Sequence, residues 1–349
     1  MSPSAHPFSL SVRSRASTGR KVSSRVSAGS RRLAVLLPGG RPPLEQQVRI
    51  FVENRRWIEA GCRLRRDLAD LEGVQRLLFR HYGELVCHWQ PALEGDANAL
   101  HEVRKSLRRL RTVLRSFRAR LKPTSARRLS RHLRKLDRDL GPARDLDVAL
   151  EFLRDPGEVR SKTAAYLSRL QHARRKAQRA VRRRLGGAAF RALQSRIDPL
   201  LRVEIPALGA ATSPTSLTRA AGEALLRQWR RARKLGRHRN SSDSTRLHRL
   251  RIALRRVRYL AEVFAPILGR PVEQLQRRAD RFEHLIAEIR DTSGELARTS
   301  ENEPSPPRAV RRRLRHRRDQ ARAALEEAWS NFENRKFCRD LKALLEAAD

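Results

Sequence analysis

Aromatic residues make up only 5% of this chain, and it has three cysteines, one methionine and no long apolar run. Each scarcity removes a class of protein. Cys62, Cys87 and Cys338 are odd in number, far apart and without CxxC or histidine-partner spacing. They read as small buried apolar residues of a reducing compartment, with neither a disulfide framework nor a zinc site. The longest apolar stretch, Leu33 to Leu37, stops at Pro38 and is far too short to cross a bilayer, so no membrane partner is expected. Arg31-Arg32 precedes it, but so brief a stretch does not make a twin-arginine export signal. Trp57, Trp89, Trp229, Trp329 and most phenylalanines occupy core-like positions, so no stacking platform for single-stranded nucleic acid is visible. No Walker loop, GxSxG, HExxH or zinc-finger spacing occurs, and no cofactor or catalytic residue is expected.

Acidic residues are also scarce. Against 37 Asp and Glu stand 78 Lys and Arg, a net charge of +41, and 69 of the 78 are arginine. Such a field opposes compactness unless counter-charge is bound, which points to a polyanionic partner. Arginine's planar fork grips phosphate oxygens in pairs, although a GC-rich genome would also favour arginine over lysine.

Residues 1–44 hold no Asp or Glu, eight Lys or Arg, and many Ser, Gly and Pro, and read as a disordered basic leader. An acid-free, Ser/Arg-rich start also resembles an organelle transit peptide. A short helical lead-in follows over 45–62. Beyond it the spacing predicts helices at 63–90, 98–120, 124–140, 142–184, 188–204, 217–239, 244–265, 271–291 and 308–348. A break is expected near Pro156-Gly157, and 301–307 reads as a linker. No alternating pattern survives long enough for a strand, so the fold class is all-α.

One thirteen-residue pattern occurs twice, 147 positions apart: Leu100 to Thr112 and Leu247 to Tyr259. His101, Arg104, Arg108 and Arg111 fall on one helix face, as do His248, Arg251, Arg255 and Arg258. Apolar stripes run beside them through Val103, Leu107, Leu110, Leu114 and Phe117, and through Leu250, Leu254, Val257, Ala261 and Phe264. Arg131, Lys135 and Arg138 suggest a second rail, matched at an offset of 146 by Arg277, Arg281 and His284. Two bundles of about four helices each, related by pseudo-twofold symmetry, is the economical architecture. The expected repeats cover about 63–185 and 188–345.

An ordinary solvated face would mix acids among the bases. Here 101–120 contains only Glu102, and 248–260 contains none. Like charges at helical spacing cost about a few tenths of a kcal/mol per pair. Such local conflict is expected at functional sites, so an extended anion is the favoured occupant. His101 and His248 lack the neighbours a metal needs, and in line with arginines each would donate to a phosphoryl oxygen. Asp145 and Asp291 each follow an arginine, and the favoured role is orienting that guanidinium. Glu262 reads as a structural partner of Arg258. The runs Arg182 to Arg184, Arg230 to Lys234 and Arg311 to Arg318 are non-specific basic patches.

The stretches Leu100 to Arg111 and Leu247 to Tyr259, continuing to Glu262, resemble the two signature helices of the conserved histidine α-helical domain family, CHAD. Leu140-Gly141-Pro142-Ala143-Arg144-Asp145-Leu146-Asp147-Val148 resembles that family's Leu-Gly-x-x-Arg-Asp-x-Asp-Val stretch. Trp329, Phe332 and Phe337 resemble its closing aromatic helix, and the likeness spans about 63–345. The resemblance implies two pseudo-twofold-related four-helix bundles around a basic central groove, with inorganic polyphosphate as ligand. It places His101, Arg104, Arg108, Arg111, His248, Arg251, Arg255 and Arg258 in the groove, joined by Lys135 and Arg281. Lys105, Arg131, Arg138 and Arg277 complete the candidate set. Ala287-Glu288-Ile289-Arg290-Asp291 departs from the family by lacking the Leu-Gly step. The acidic ExExK motif of the CYTH triphosphatase domain that some members carry is absent from residues 1–62.

The expectation is therefore a stand-alone, non-enzymatic polyphosphate-binding module of the cytoplasm, associated with polyphosphate granules. One alternative is a nucleic-acid-binding protein using the same charge non-specifically. Another is a metal-dependent phosphohydrolase using Asp145 or Asp291.

Overall fold

The computed structural model describes residues 68–153, 161–211, 215–237, 244–297 and 308–347, with positions 46, 49, 51, 53 and 62–66. The expected leader, the 301–307 linker, Trp57 and the break at Pro156-Gly157 lie outside them. Of the lead-in, positions 46, 49, 51 and 53 are helical, and Phe51 packs on Phe79 and Tyr82 at 5.5 and 5.8 Å.

Among the described residues the fold is all-α. In the first half α1 (Asp70–Glu94), α2 (Ala97–Ser116), α3 (Pro123–Asp139), α4 (Gly141–Leu153), α5 (Ser161–Leu185), α6 (Gly187–Pro199) and α7 (Ile205–Ala211) follow in order. The second half comprises α8 (Leu217–Gly236), α9 (Ser244–Leu268), α10 (Arg270–Leu296), α11 (Arg308–Phe332) and α12 (Arg335–Glu346). The starts of α1 and α8, α2 and α9, α3 and α10, and α5 and α11 are all 147 residues apart. The repeat therefore extends well beyond its signature helices. α6 packs on α3 as α12 packs on α10, so α6 belongs with the first half, not at the start of the second.

Equivalent residues meet each other where the pseudo-twofold axis passes, as a symmetric interface requires. Phe117 and Phe264 stand edge to face at 5.9 Å. Ala69 and Ser216 form an isolated antiparallel bridge in which Asp70 N donates to Thr215 O and Leu217 N to Leu68 O, both at 2.9 Å. That bridge delays α1 to Asp70, later than the helix start predicted at 63.

Other boundaries also have local causes. Pro91 lies inside α1 rather than ending it, and left-handed Gly95 (φ 116°) closes the helix. Asp96 caps α2 by accepting from Asn98 N and Ala99 N at 2.7 and 3.0 Å. Asn334 caps α12 and splits the helix expected over 308–348. Pro142 has no N–H for the Arg138 carbonyl, and the first half breaks between α3 and α4. At an offset of 146 the second half has Glu288, and α10 runs on unbroken. The missing Leu-Gly step is thus a missing helix break.

All ten stripe residues on α2 and α9 are buried in one core shared by the two halves. Trp89 of α1 fills the first bundle and donates to Leu185 O at 2.8 Å. Its equivalent in α8 is Gly236, and Trp329 of α11 fills that space instead. A Cβ at Gly236 would run into the Trp329 ring. Gly236→Ala should therefore destabilise the protein by about 1–3 kcal/mol through overpacking, read as a lower denaturation midpoint with unchanged helicity.

Candidate anion-binding groove

The α2 and α9 stripes fix how those helices rotate, and the adjoining basic faces then turn toward each other across the axis. Between them lies a groove of about 680 Å³. Its lining includes His101, Arg104, Arg108 and Arg111 from α2, and His248, Arg251 and Arg255 from α9. In all it carries eleven arginines, two histidines and three aspartates, with no Phe, Tyr or Trp. A cavity of about 770 Å³ adjoins it and shares His101, Arg144, Asp145, Arg290 and Asp291. Glu151, Glu288 and Glu295 line that second space, so its charge is mixed and it suits a polyanion less well.

The rails hold their shape through carboxylates from neighbouring helices. Asp137 of α3 accepts from Arg104 Nε at 3.1 Å, Arg108 Nε at 3.2 Å and Arg111 Nη1 at 3.4 Å. At the offset of 146 stands Glu283 of α10, which accepts from Arg255 Nε at 2.6 Å and Arg258 Nε at 2.9 Å. Burial raises the Glu283 carboxyl, but Arg255 and then Arg258 outweigh it and hold it below the usual range. Neutralisation is partial. Burial, Arg255, Arg104 and Arg251 together bring Arg108 down to about 10 despite Asp137. Arg251 falls to about 10 through burial and the nearby Arg255 and Arg290, and its buried Nε has no hydrogen-bond partner. Both guanidiniums remain charged at neutral pH. Arg108 and its own equivalent Arg255 line the same groove, so two cationic rails face one space.

His101 is pushed below its ordinary pKa by burial and then Arg144, and His248 by burial and then Arg290. Among the described residues no group of three or more His, Cys, Asp or Glu is placed to hold a metal. The three cysteines are free, and burial pushes Cys62 up to about 12. No helix of the described residues is long and apolar enough to cross a membrane.

A family model described as CHAD domain matches residues 76–300, more than half of the chain. The chain belongs to the CHAD family. Its fold resembles the crystal structure of the CHAD domain from the plant Ricinus communis, with a TM-score of 0.55 and 20% identity over 82% of this chain and 94% of that one. PptA from Streptomyces chartreusis is similar at a TM-score of 0.55 and 19% identity, covering 75% of this chain and 100% of that one. No curated protein matches.

Within this CHAD domain not every candidate residue reaches the groove. Lys105 pairs with Glu102 at 2.9 Å, Lys135 with Asp139 at 3.1 Å and Arg281 with Glu327 of α11 at 3.5 Å. Arg131 and Arg277 are exposed outside it, and Arg258 is engaged by Glu283, Asp280 and Glu262. Arg138 does line it, together with Arg134. Burial of Ala126, Leu129, Leu133 and Leu136 sets the rotation of α3, so its groove-facing cations are Arg134 and Arg138 rather than Arg131 and Lys135. Arg115, Arg144, Arg256 and Arg290 were not anticipated. Arg115 continues the Arg111 face by four residues, and Arg144 and Arg290 immediately precede the singled-out aspartates.

Asp291 accepts from Arg290 Nε and Nη2 at 3.0 and 2.7 Å. Asp145 is exposed on the groove wall and has no ion pair among the described residues. The carboxylates that grip the rails are instead Asp137 and Glu283. Asp137→Asn should lower the stability of the unliganded protein by about 2–4 kcal/mol, since its side chain is only 16% exposed and three guanidiniums lose their counter-charge. Asp145→Asn should stay within about 0.5 kcal/mol, both read by denaturant titration.

Proposed function

We propose that this CHAD protein binds inorganic polyphosphate in the groove between α2 and α9 without transforming it. The observation that carries the reading is the pair of facing arginine rails, gripped by Asp137 on one side and Glu283 on the other and only partly neutralised, with the buried Arg251 Nε left without a partner. A flexible linear polyanion can lie along both rails at once, accept charge-assisted hydrogen bonds from the guanidinium forks, and release its counterions. The absence of Phe, Tyr or Trp from the groove lining favours a ligand without bases to stack. The binding module covers about 63–345, acts in the cytoplasm, and associates with polyphosphate granules by the same contacts.

The direct test is competition between long-chain polyphosphate, RNA and duplex DNA at equal phosphate concentration over a salt series. Polyphosphate should win at physiological salt. Equal competition by either nucleic acid would replace this reading with a non-specific nucleic-acid binder, and phosphate release with divalent metal would replace it with a hydrolase. Replacing Arg104, Arg108, Arg251 and Arg255 together by Gln should flatten the slope of log Kd against log salt by about 4, with helicity retained by circular dichroism.

The histidines add a pH dependence. Both are depressed in the free protein, and a bound polyanion favours their cationic form, so binding takes up protons. Affinity should rise as pH falls through the bound-state histidine pKa and level off below the free-state value. Dissociation constants across mildly alkaline to mildly acidic pH should show this in the native protein and not in His101→Gln/His248→Gln. A flat native profile would remove the role.

A further inference from the structure

The two flanks of the pseudo-twofold axis differ in charge. On one flank His81 and Glu84 of α1, Arg109 of α2, and Tyr259 and Glu262 of α9 form a closed network. Arg109 donates to Glu262 Oε1 at 2.6 Å and to Glu84 Oε2 at 3.3 Å. His81 Nδ1 donates to Glu84 Oε2 at 2.8 Å, and its Nε2 takes the Tyr259 hydroxyl. The arginine here is matched by carboxylates.

The 147-residue repeat carries these five positions onto Gln228 and Arg231 of α8, Arg256 of α9, and Thr112 and Arg115 of α2. Both glutamates have become arginines. A Glu–Arg–Glu cluster on one flank is thus an Arg–Arg–Arg cluster on the other. None of Arg115, Arg231 and Arg256 has an ion pair among the described residues. Burial, then Arg115 and Arg231, brings Arg256 down to about 10, so the three guanidiniums share one neighbourhood. Arg115 and Arg256 also line the groove, which makes the cluster continuous with it. Arg256 is half-buried, and Arg115 and Arg231 are exposed beside it. Three uncompensated like charges repel one another in the free protein, and a bound anion offsets that.

We propose that Arg115, Arg231 and Arg256 form an anion subsite on the α8 flank alone, taking phosphoryl oxyanions of a polyphosphate chain where it leaves the groove. The opposite flank is closed to the chain by Glu84 and Glu262. The groove then has a single cationic exit, and a long chain is held in more places than a short one. This inference rests on the polyphosphate reading of the groove.

The test compares Arg115→Gln/Arg231→Gln/Arg256→Gln with a charge-matched control, Arg175→Gln/Arg183→Gln/Arg335→Gln, whose side chains are exposed and outside the groove. Affinities for long-chain polyphosphate and for tripolyphosphate are measured across a salt series. In the flank variant the ratio of long-chain to tripolyphosphate affinity should fall about tenfold or more, and the long-chain salt slope should flatten by about 3. Arg231→Gln alone, at an exposed position, should shift both in the same direction by roughly a third on the logarithmic scale, which keeps the question answerable if the triple variant fails to fold. Equal loss for both ligands, or a change no greater than the control's, overturns the subsite and leaves the groove intact. A native protein that binds no polyphosphate overturns the groove reading, and the subsite with it.

Discussion

Asp137 is one carboxylate shared by three guanidiniums, and the arrangement of the first rail depends on that sharing. A single negative charge fixes the positions of Arg104, Arg108 and Arg111 without cancelling their field. Glu283 holds Arg255 and Arg258 from the equivalent place on α10, sharing Arg258 with Asp280 and Glu262. With fewer carboxylates the rails would splay into solvent, and with more they would be neutral and of no use to an anion. Partial neutralisation at low exposure leaves a pre-oriented positive surface, because a charge-assisted contact gains strength as water is excluded.

Apolar packing makes such a surface tolerable. Like-charged neighbours along α2 and α9 cost about a few tenths of a kcal/mol each, whereas each fully buried Leu, Val or Phe on their inner stripes contributes about 1.5–3 kcal/mol. The core therefore outweighs the repulsion and dictates which way the cations face. Contacts between equivalent residues, Phe117 on Phe264 and Ala69 beside Ser216, lock the halves in register and hold the two rails opposite each other.

The duplication is close in the backbone and loose in the chemistry. Pro142 breaks the first half where Glu288 continues the second, and Trp329 replaces Trp89 from a different helix. The largest divergence is electrical. The Glu84–Arg109–Glu262 cluster and its all-arginine counterpart occupy equivalent positions on the two flanks. A symmetric scaffold thus carries an asymmetric field.

The α2 and α9 rails were legible in the sequence because stripe and basic face are both regular at helical spacing, so burying one determines the direction of the other. α3 was harder to read, since arginines surround most of it and only its buried leucines select Arg134 and Arg138 for the groove. Asp137 and Glu283 were missed although the 146-residue offset that links Arg131 to Arg277 also links them. An Asp and a Glu do not announce themselves as equivalents, and their partners on α2 and α9 are 25 to 33 residues away. By itself, then, the sequence determined the helical class, the duplication, the cationic faces of α2 and α9 and the family. Only the tertiary structure decided which carboxylates restrain the rails, which candidates lie outside the groove and which flank is left unneutralised. Those outcomes depend on side chains from separate helices meeting in space, and local spacing carries no record of such meetings.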